Sequence, residues 1–213
     1  MQRNYKSVQV FENPLLEKFT HSHPATPFVL WIPFVGWLLW RSVYVLHLNF
    51  SVLSTLAVGG LFGWTFLEYF LHRFVFHYEG THPWSQRLHF LIHGIHHVDP
   101  NDPTRLVMPP AGGIILASLL FVFLRFLLGD VLAQPFFAFM LIGYLFYDFT
   151  HFAVHHFRPR TGVGKMLKHH HMQHHFVNPN SRWGVSSPLW DFVFGTLDSE
   201  VLEGKMKDEE STV

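Results

Sequence analysis

Four stretches without a single charge, at residues 24–40, 50–67, 106–124 and 131–147, govern what this chain can fold into. Each has about 17 to 19 residues, enough for a helix rising about 1.5 Å per residue to cross a hydrocarbon core of roughly 30 Å. They lack the polar stripe of a soluble amphipathic helix, which argues against a buried soluble core. Polar breaks at Asn49 and at Gly129-Asp130 group them as two hairpins, with a long middle segment between. The expected fold is an all-α integral membrane protein of one domain, 1–213. Its four transmembrane helices are expected at about 24–47, 50–70, 108–128 and 131–149, with a helical cap from 71–107 and 150–213. Residues 1–27 carry Glu12, Asn13, Pro14 and Glu17 rather than a basic start feeding an apolar core, so no cleavable signal peptide is expected.

The charge distribution sets an orientation. The 15 basic and 15 acidic side chains cancel, which leaves no footprint for nucleic acid. Three cations precede the first run (Arg3, Lys6, Lys18), three lie in the middle segment (Arg73, Arg87, Arg105), and seven follow the fourth run. Arg41 and Arg125 lie inside helices, and the hairpin turns have none. By the positive-inside rule both termini and the middle segment face the cytoplasm. Trp31, Trp37, Trp40 and Tyr44 are then interfacial anchors.

The chain has 18 histidines and no cysteine. The missing thiols exclude disulfides, thiolate zinc sites, iron–sulfur clusters, covalent c-type haem and a cysteine nucleophile, while neutral imidazole is the commonest metal ligand. Fifteen histidines fall in the two cytoplasmic segments, leaving His21, His23 and His47 elsewhere. They form four groups: His72-Arg-Phe-Val-Phe-His77; His89 with His93-Gly-Ile-His96-His97; His151-Phe-Ala-Val-His155-His156; and His169-His170-His171-Met-Gln-His174-His175. On a helix, residues three and four apart share a face, so His93, His96 and His97, or His171, His174 and His175, are expected to converge on one ion, as are His151 and His155. His72 and His77 lie about 140° apart on an α-helix, so that pair requires the helix to end or bulge.

The groups repeat. His77 to His93 and His155 to His171 are both 16 residues, and His93 to His171 spans 78 against 79 for His72 to His151. This implies a pseudo-symmetric site, one pair and one triplet from each half, whose ten imidazoles suit two ions. Glu68, one turn before His72, and Asp148, three residues before His151, are candidates to accept the free ring N–H of a metal-bound histidine. Ending a membrane helix at the interface is the simpler role for both. Tyr147 adjoins Asp148 and is a candidate hydrogen-bond donor, Tyr144 an interfacial aromatic.

Together these residues resemble the membrane fatty acid hydroxylase superfamily, and within it the fatty acid 2-hydroxylases acting on sphingolipid acyl chains. The resemblance runs from about Phe11 to Leu197. It rests on Asn-Pro-Leu-Leu-Glu at 13–17, Leu-His-Arg-Phe-Val-Phe-His at 71–77, His-Gly-Ile-His-His at 93–97, Arg-Leu-Val-Met-Pro-Pro at 105–110, Tyr-Asp-Phe-Thr-His at 147–151, the last H-x-x-H-H, and Ser-Ser-Pro-Leu-Trp-Asp-Phe-Val-Phe-Gly-Thr at 186–196. It implies metal ligation by His72, His77, His93, His96, His97, His151, His155, His171, His174 and His175, the ten that spacing selects. His82, His89, His156, His169 and His170 stay as supporting, surface or substrate-facing candidates.

The family's eukaryotic members carry a fused cytochrome b5 domain with a His-Pro-Gly-Gly motif, which is not in this sequence, nor is a glycine-rich dinucleotide fingerprint. The resemblance therefore implies a separate electron donor, such as cytochrome b5 or a ferredoxin. It implies two metal ions, with iron for activity because zinc, which also suits imidazole, has no redox chemistry. It also implies molecular oxygen as co-substrate and a membrane lipid acyl chain as substrate, hydroxylated at C2. Asp148 and Tyr147 are the candidate catalytic residues. Arg105, Trp183, Trp190 and Asp191 are candidates for the mouth, against simple capping and packing. Two competing readings are a hydroxylase or desaturase of a sterol, carotenoid or alkane, and a non-enzymatic metal transporter. The latter fits poorly, because transporter sites lie near the membrane midplane. The membrane is a bacterial inner membrane or the endoplasmic reticulum.

Overall fold

The computed structural model describes residues 7–197, and among them there is no strand. In chain order the helices are α1 (Pro14–Phe19), α2 (Thr26–Tyr44), α3 (Phe50–Leu71), a π-helical turn (His72–Phe76), α4 (Pro83–His89), a second π turn (Phe90–Gly94), α5 (Ile95–Val98), α6 (Pro110–His156), α7 (Gly162–Phe176) and α8 (Leu189–Val193). Arg3, Lys6, Lys205 and Lys207, which entered the charge sorting, and the part of the expected cap beyond 197 lie outside the described residues.

Three helices are long and apolar enough to cross a membrane: Thr26–Tyr44, Phe50–Phe76 and Pro110–His156. The last holds two of the four expected runs in 47 residues, and its regular geometry fails at Gly129, with φ 74° and ψ 169°. Glycine enters that region without a Cβ penalty. On a straight helix residues 121 and 137 would be about 24 Å apart, yet the rings of Phe121 and Phe137 are 5.0 Å apart. The two arms therefore run back along one another, and Arg125 pairs with Asp130 beside the break. The other predicted break is a helix start: Asn49 caps α3 by accepting from the Val52 amide at 2.9 Å. At its far end α6 runs on to His156, past the expected limit at 149, so His151 and His155 extend the spanning helix itself.

The core lies where α6 meets α2 and α3, around Trp31, Val35, Leu38, Leu124, Phe137, Leu141 and Leu145. Val29, Leu119, Val122 and Phe126 point outward and exposed, as an apolar solvent around the bundle requires. Two glycines set the α3–α6 approach. A Cβ on Gly60 would lie 2.7 Å from the Phe136 carbonyl oxygen, and one on Gly143 2.6 Å from Trp64 Cβ. Small residues at such contacts let helices close up where no hydrophobic force drives them together. Gly143→Ala should therefore destabilise by about 1–3 kcal/mol and lower the melting temperature in detergent. Gly36→Ala, where nothing lies within 4 Å of the added atom, should not.

Candidate metal centre

The π turn at His72–Phe76 is the bulge that the five-residue spacing demanded. It widens the turn so that His72 and His77 aim the same way, with ring centroids 5.1 Å apart. In the second half α6 stays α-helical, and His151 and His155, four apart, reach the same relation at 5.1 Å.

The ten predicted histidines come together in two groups of five: His72, His77, His93, His97 and His174; and His96, His151, His155, His171 and His175. Within each group the ligand atoms all lie within 4.8 Å of one another. The composition of the groups corrects one expectation. H-x-x-H-H does not converge on a single point, for His96 crosses to the second-half group and His174 to the first-half group. The helix explains it: residues three and four on from His93 turn by about −60° and +40°, so His96 and His97 diverge by about 100°. His93 and His97 can share a face, and His96 must look to the side. The rings of His97 and His175 stack between the groups, 4.2 Å apart.

The close contacts within the groups run between Nε2 atoms. His93 Nε2 is 3.1 Å from both His72 Nε2 and His97 Nε2, and His171 Nε2 is 2.9 Å from His155 Nε2 and 3.1 Å from His175 Nε2. Further pairs are His96 with His151 at 3.0 Å and His77 with His174 at 3.2 Å. One imidazole nitrogen has either a proton or a lone pair, so neither His93 nor His171 can satisfy two such neighbours by hydrogen bonding. Two nitrogens bound at right angles about 2.1 Å from an ion would be about 3.0 Å apart, which matches these separations. Each five-nitrogen group thus has the chemistry and spacing to hold a metal ion.

Backbone carbonyls fix some of the outer ring nitrogens. His72 Nδ1 donates to the Trp183 carbonyl and His174 Nδ1 to that of Ser181 at 2.7 Å, so Nε2 remains free as a ligand. Glu68 does not hold His72, the first of the two roles its position left open. Its Oε1 accepts from the amides of Val185 and Ser186 at 2.7 and 2.8 Å, and its Oε2 from the Ser186 hydroxyl. It acts instead on the loop that presents the Trp183 carbonyl. Asp191, fully buried, shapes the same loop by accepting from the amides of Trp183 and Gly184, both at 2.8 Å, from Thr196 Oγ1, and from His170 Nε2 at 3.1 Å. Gly184 is required there, since an added Cβ would fall 2.0 Å from the Ser187 carbonyl oxygen. Asp148 does not reach His151: its Oδ2 and His151 Nδ1 are both buried without a partner. Tyr147 lies with its ring 5.6 Å from that of His151. Of the remaining histidines, His170 is buried against Asp191, His169 and His82 are exposed, His89 lies 6.2 Å from His77 and His156 packs on Phe152.

Burial, reinforced by neighbouring imidazoles, holds His93, His96 and His171 well below the usual histidine range. The same causes bring His77 to about 2 and His97 to about 3. The cluster is therefore neutral at physiological pH, as metal ligation requires. A cavity of about 270 Å³ opens beside it, walled by Trp31, Trp64, Leu71, Phe123 and Leu141, with Glu68, Tyr144 and Tyr147 also on its lining. A smaller one of about 50 Å³ is bounded by His93, His96, His151, Asp148 and Arg105. Phe76, Met108, Tyr144 and Tyr147 line both.

Among the described residues, membrane-length helices with two interleaved five-histidine groups and no strand define a recognisable class. The description "Fatty acid hydroxylase" fits residues 57–196 as a family match, and the chain belongs to that family. It is 41% identical over 169 residues to dihydroceramide fatty acyl 2-hydroxylase FAH1 of Arabidopsis thaliana, covering 79% of this chain and 71% of that protein. Fatty acid 2-hydroxylase of Rattus norvegicus is 34% identical over 222 residues, which span 95% of this chain but only 60% of the rat protein. The solved hydroxylase domain of full-length scs7p superposes with a TM-score of 0.83 at 37% identity, over 89% of this chain and 72% of that one.

Since the buried histidines have folded-state pKa values below the unfolded value of about 6.5, the unfolded chain takes up protons first as pH falls. Stability of the metal-free protein should be fully present above about pH 6.5 and decline toward pH 4, read as a falling melting temperature. Glu68→Ala, which frees the 183–186 loop, should weaken cobalt(II) binding by about 10–100-fold, measured by absorbance titration.

Proposed function

We propose that this chain hydroxylates a lipid acyl chain at C2, using the two histidine groups to hold two metal ions. The observation that carries this reading is an apolar cavity that shares Phe76, Met108, Tyr144 and Tyr147 with a small cavity reaching His93, His96 and His151 of the two five-histidine groups. It is supported by the names of the relatives, which are fatty acyl or fatty acid 2-hydroxylases. His72, His77, His93, His97 and His174 hold one ion, and His96, His151, His155, His171 and His175 the other. Iron is the metal of the active protein and supplies the redox chemistry for activating molecular oxygen and cleaving a C–H bond, which zinc lacks.

The chain's own residues do the rest. The apolar wall from Trp31 to Leu141 takes the hydrocarbon and excludes water. Asp148, buried with a free Oδ2 beside His151, and Tyr147, at the junction of the two cavities, orient the reacting end and handle its proton. The spanning helices bring four membrane crossings, α6 contributing two by turning back at Gly129. Positive charge in the middle and C-terminal segments favours a cytoplasmic histidine cap, in a bacterial inner membrane or the endoplasmic reticulum. Reducing equivalents come from a separate donor such as cytochrome b5 or a ferredoxin.

Expression with a competent donor in a host without 2-hydroxy lipids, under ¹⁸O₂, should yield acyl chains bearing one labelled oxygen at C2 by mass spectrometry. Iron-loaded protein giving no such product would sink the proposal. Asp148→Asn should lower turnover about a hundredfold or more at unchanged metal content.

A further inference from the structure

Arg41 and Arg125 lie inside spanning helices, and the histidine chemistry uses neither. They stand at the end of the bundle away from the metal centre. α3 has 22 residues between Asn49 and His72, and the second arm of α6 takes as many steps from Gly129 to His151. At about 1.5 Å per residue each separation is about 33 Å, close to the hydrocarbon thickness of a bilayer. The Leu48 amide donates to the Ser42 carbonyl at 3.0 Å, which ties the end of α2 to the start of α3. Arg41 Nε donates to Gln134 Oε1 at 3.0 Å and Gln134 Nε2 to the Asp130 carbonyl at 2.9 Å, which ties Arg41 to the break at Gly129 as well. Both arginines are therefore at the headgroup level opposite the histidines, where the charge rule that orients the chain calls for no cations.

Arg41, Arg125, Asp130 and Gln134 line one cavity of about 510 Å³, with Trp37 and Phe121 among its other walls. The Arg41 guanidinium lies 5.4 Å from the Trp37 ring centroid and that of Arg125 6.0 Å from the Phe121 centroid. Arg125 Nε donates to Asp130 Oδ1 at 2.5 Å. Arg41 has no such partner: of the described residues only the neutral Gln134 accepts from it, and its Nη1 and Nη2 are not closed off by packing. Two arginines against Asp130, +2 and −1, leave the cavity with a net charge of +1. A charge inside a spanning helix is costly without a partner and marks a site. Guanidinium groups match oxyanions, and at headgroup level the oxyanion at hand is a phosphodiester, whose single negative charge balances the cavity. The aromatic walls beside the arginines suit the glycerol and first methylenes of a lipid, which a free phosphate lacks. We propose that Arg41, with Arg125 beside it, binds the phosphodiester of an anionic phospholipid in the leaflet opposite the histidine groups. Gln134 holds Arg41 in place and Asp130 sets the charge. This cavity shares no lining residue with the acyl cavity, so the lipid it takes is a structural partner and not the substrate.

The whole zinc-loaded protein, stripped of lipid in detergent, is offered equal amounts of dioleoyl phosphatidylglycerol, dioleoyl phosphatidylcholine and galactosyl dioleoylglycerol, and native mass spectrometry reads which it retains. Phosphatidylglycerol should bind about 10–100-fold more tightly than the galactolipid, as hydrogen bonds from a charged donor imply. It should also bind more tightly than phosphatidylcholine, whose ammonium cancels the phosphate. Arg41→Gln should bring phosphatidylglycerol within about threefold of the galactolipid at unchanged zinc content. Arg158→Gln, the same loss of charge on an exposed residue at the histidine end, should retain the preference. Asp130→Asn, which raises the cavity charge and frees Arg125, should tighten phosphatidylglycerol binding, and it decides the matter if Arg41→Gln does not fold. Excess inorganic phosphate should displace none of the lipid. The proposal is overturned if Arg41→Gln keeps the preference, if Arg158→Gln loses it equally, or if Asp130→Asn leaves binding unchanged or weaker. Phosphatidylcholine bound as tightly as phosphatidylglycerol, or displacement by inorganic phosphate, overturns it too.

Discussion

Five imidazole nitrogens cannot be packed within 4.8 Å of one another unless something rigid holds their rings from behind, because in the absence of an ion their lone pairs face each other and most of the rings are buried from water. The structure depends on meeting that constraint twice. Long helices supply the stiffness: α3 with its π turn delivers His72 and His77, the last turns of α6 deliver His151 and His155, and the second π turn with α5, and α7, deliver the rest. The reciprocal crossing of His96 and His174 ties the two groups together, so that neither can be built without a residue from the other half of the chain.

Around this centre the supporting shell is asymmetric although the ligands are not. The first-half group is fastened by the carbonyls of Trp183 and Ser181, on a loop gripped by two buried carboxylates, Glu68 and Asp191. In the second-half group the Nδ1 atoms of His96, His151 and His171 are buried without partners. The small cavity touches that less supported side, along with Asp148 and Arg105. His93 of the better-braced group lines that cavity as well.

Much of this was legible in the residues. The apolar runs gave the helices, because a span without charge and about 18 residues long has few other fates. The histidine spacing selected all ten members of the two groups, and the 140° discrepancy between His72 and His77 required a bulge where a π turn stands. What spacing could not supply was the allocation of His96 and His174, since the shared-face rule treats three and four residues as equivalent while the geometry sends them to different neighbours. For Glu68 and Asp148 the spacing left two roles open, accepting a ring N–H or ending a helix, and only the structure puts Glu68 on the Val185 and Ser186 amides and leaves Asp148 Oδ2 short of His151 Nδ1.

The sequence by itself therefore determined which side chains are ligand-like and that they gather towards the ends of apolar helices, for both follow from local periodicity and from the cost of burying charge in hydrocarbon. Only the tertiary structure decided how ten imidazoles divide into two fives, and that backbone carbonyls at 181 and 183 orient two of them. It also decided that the Arg105 guanidinium is held by Val8, Glu17 and His21 of the N-terminal segment. Those outcomes depend on contacts between residues a hundred positions apart, and on main-chain oxygens that every residue possesses and no sequence pattern marks.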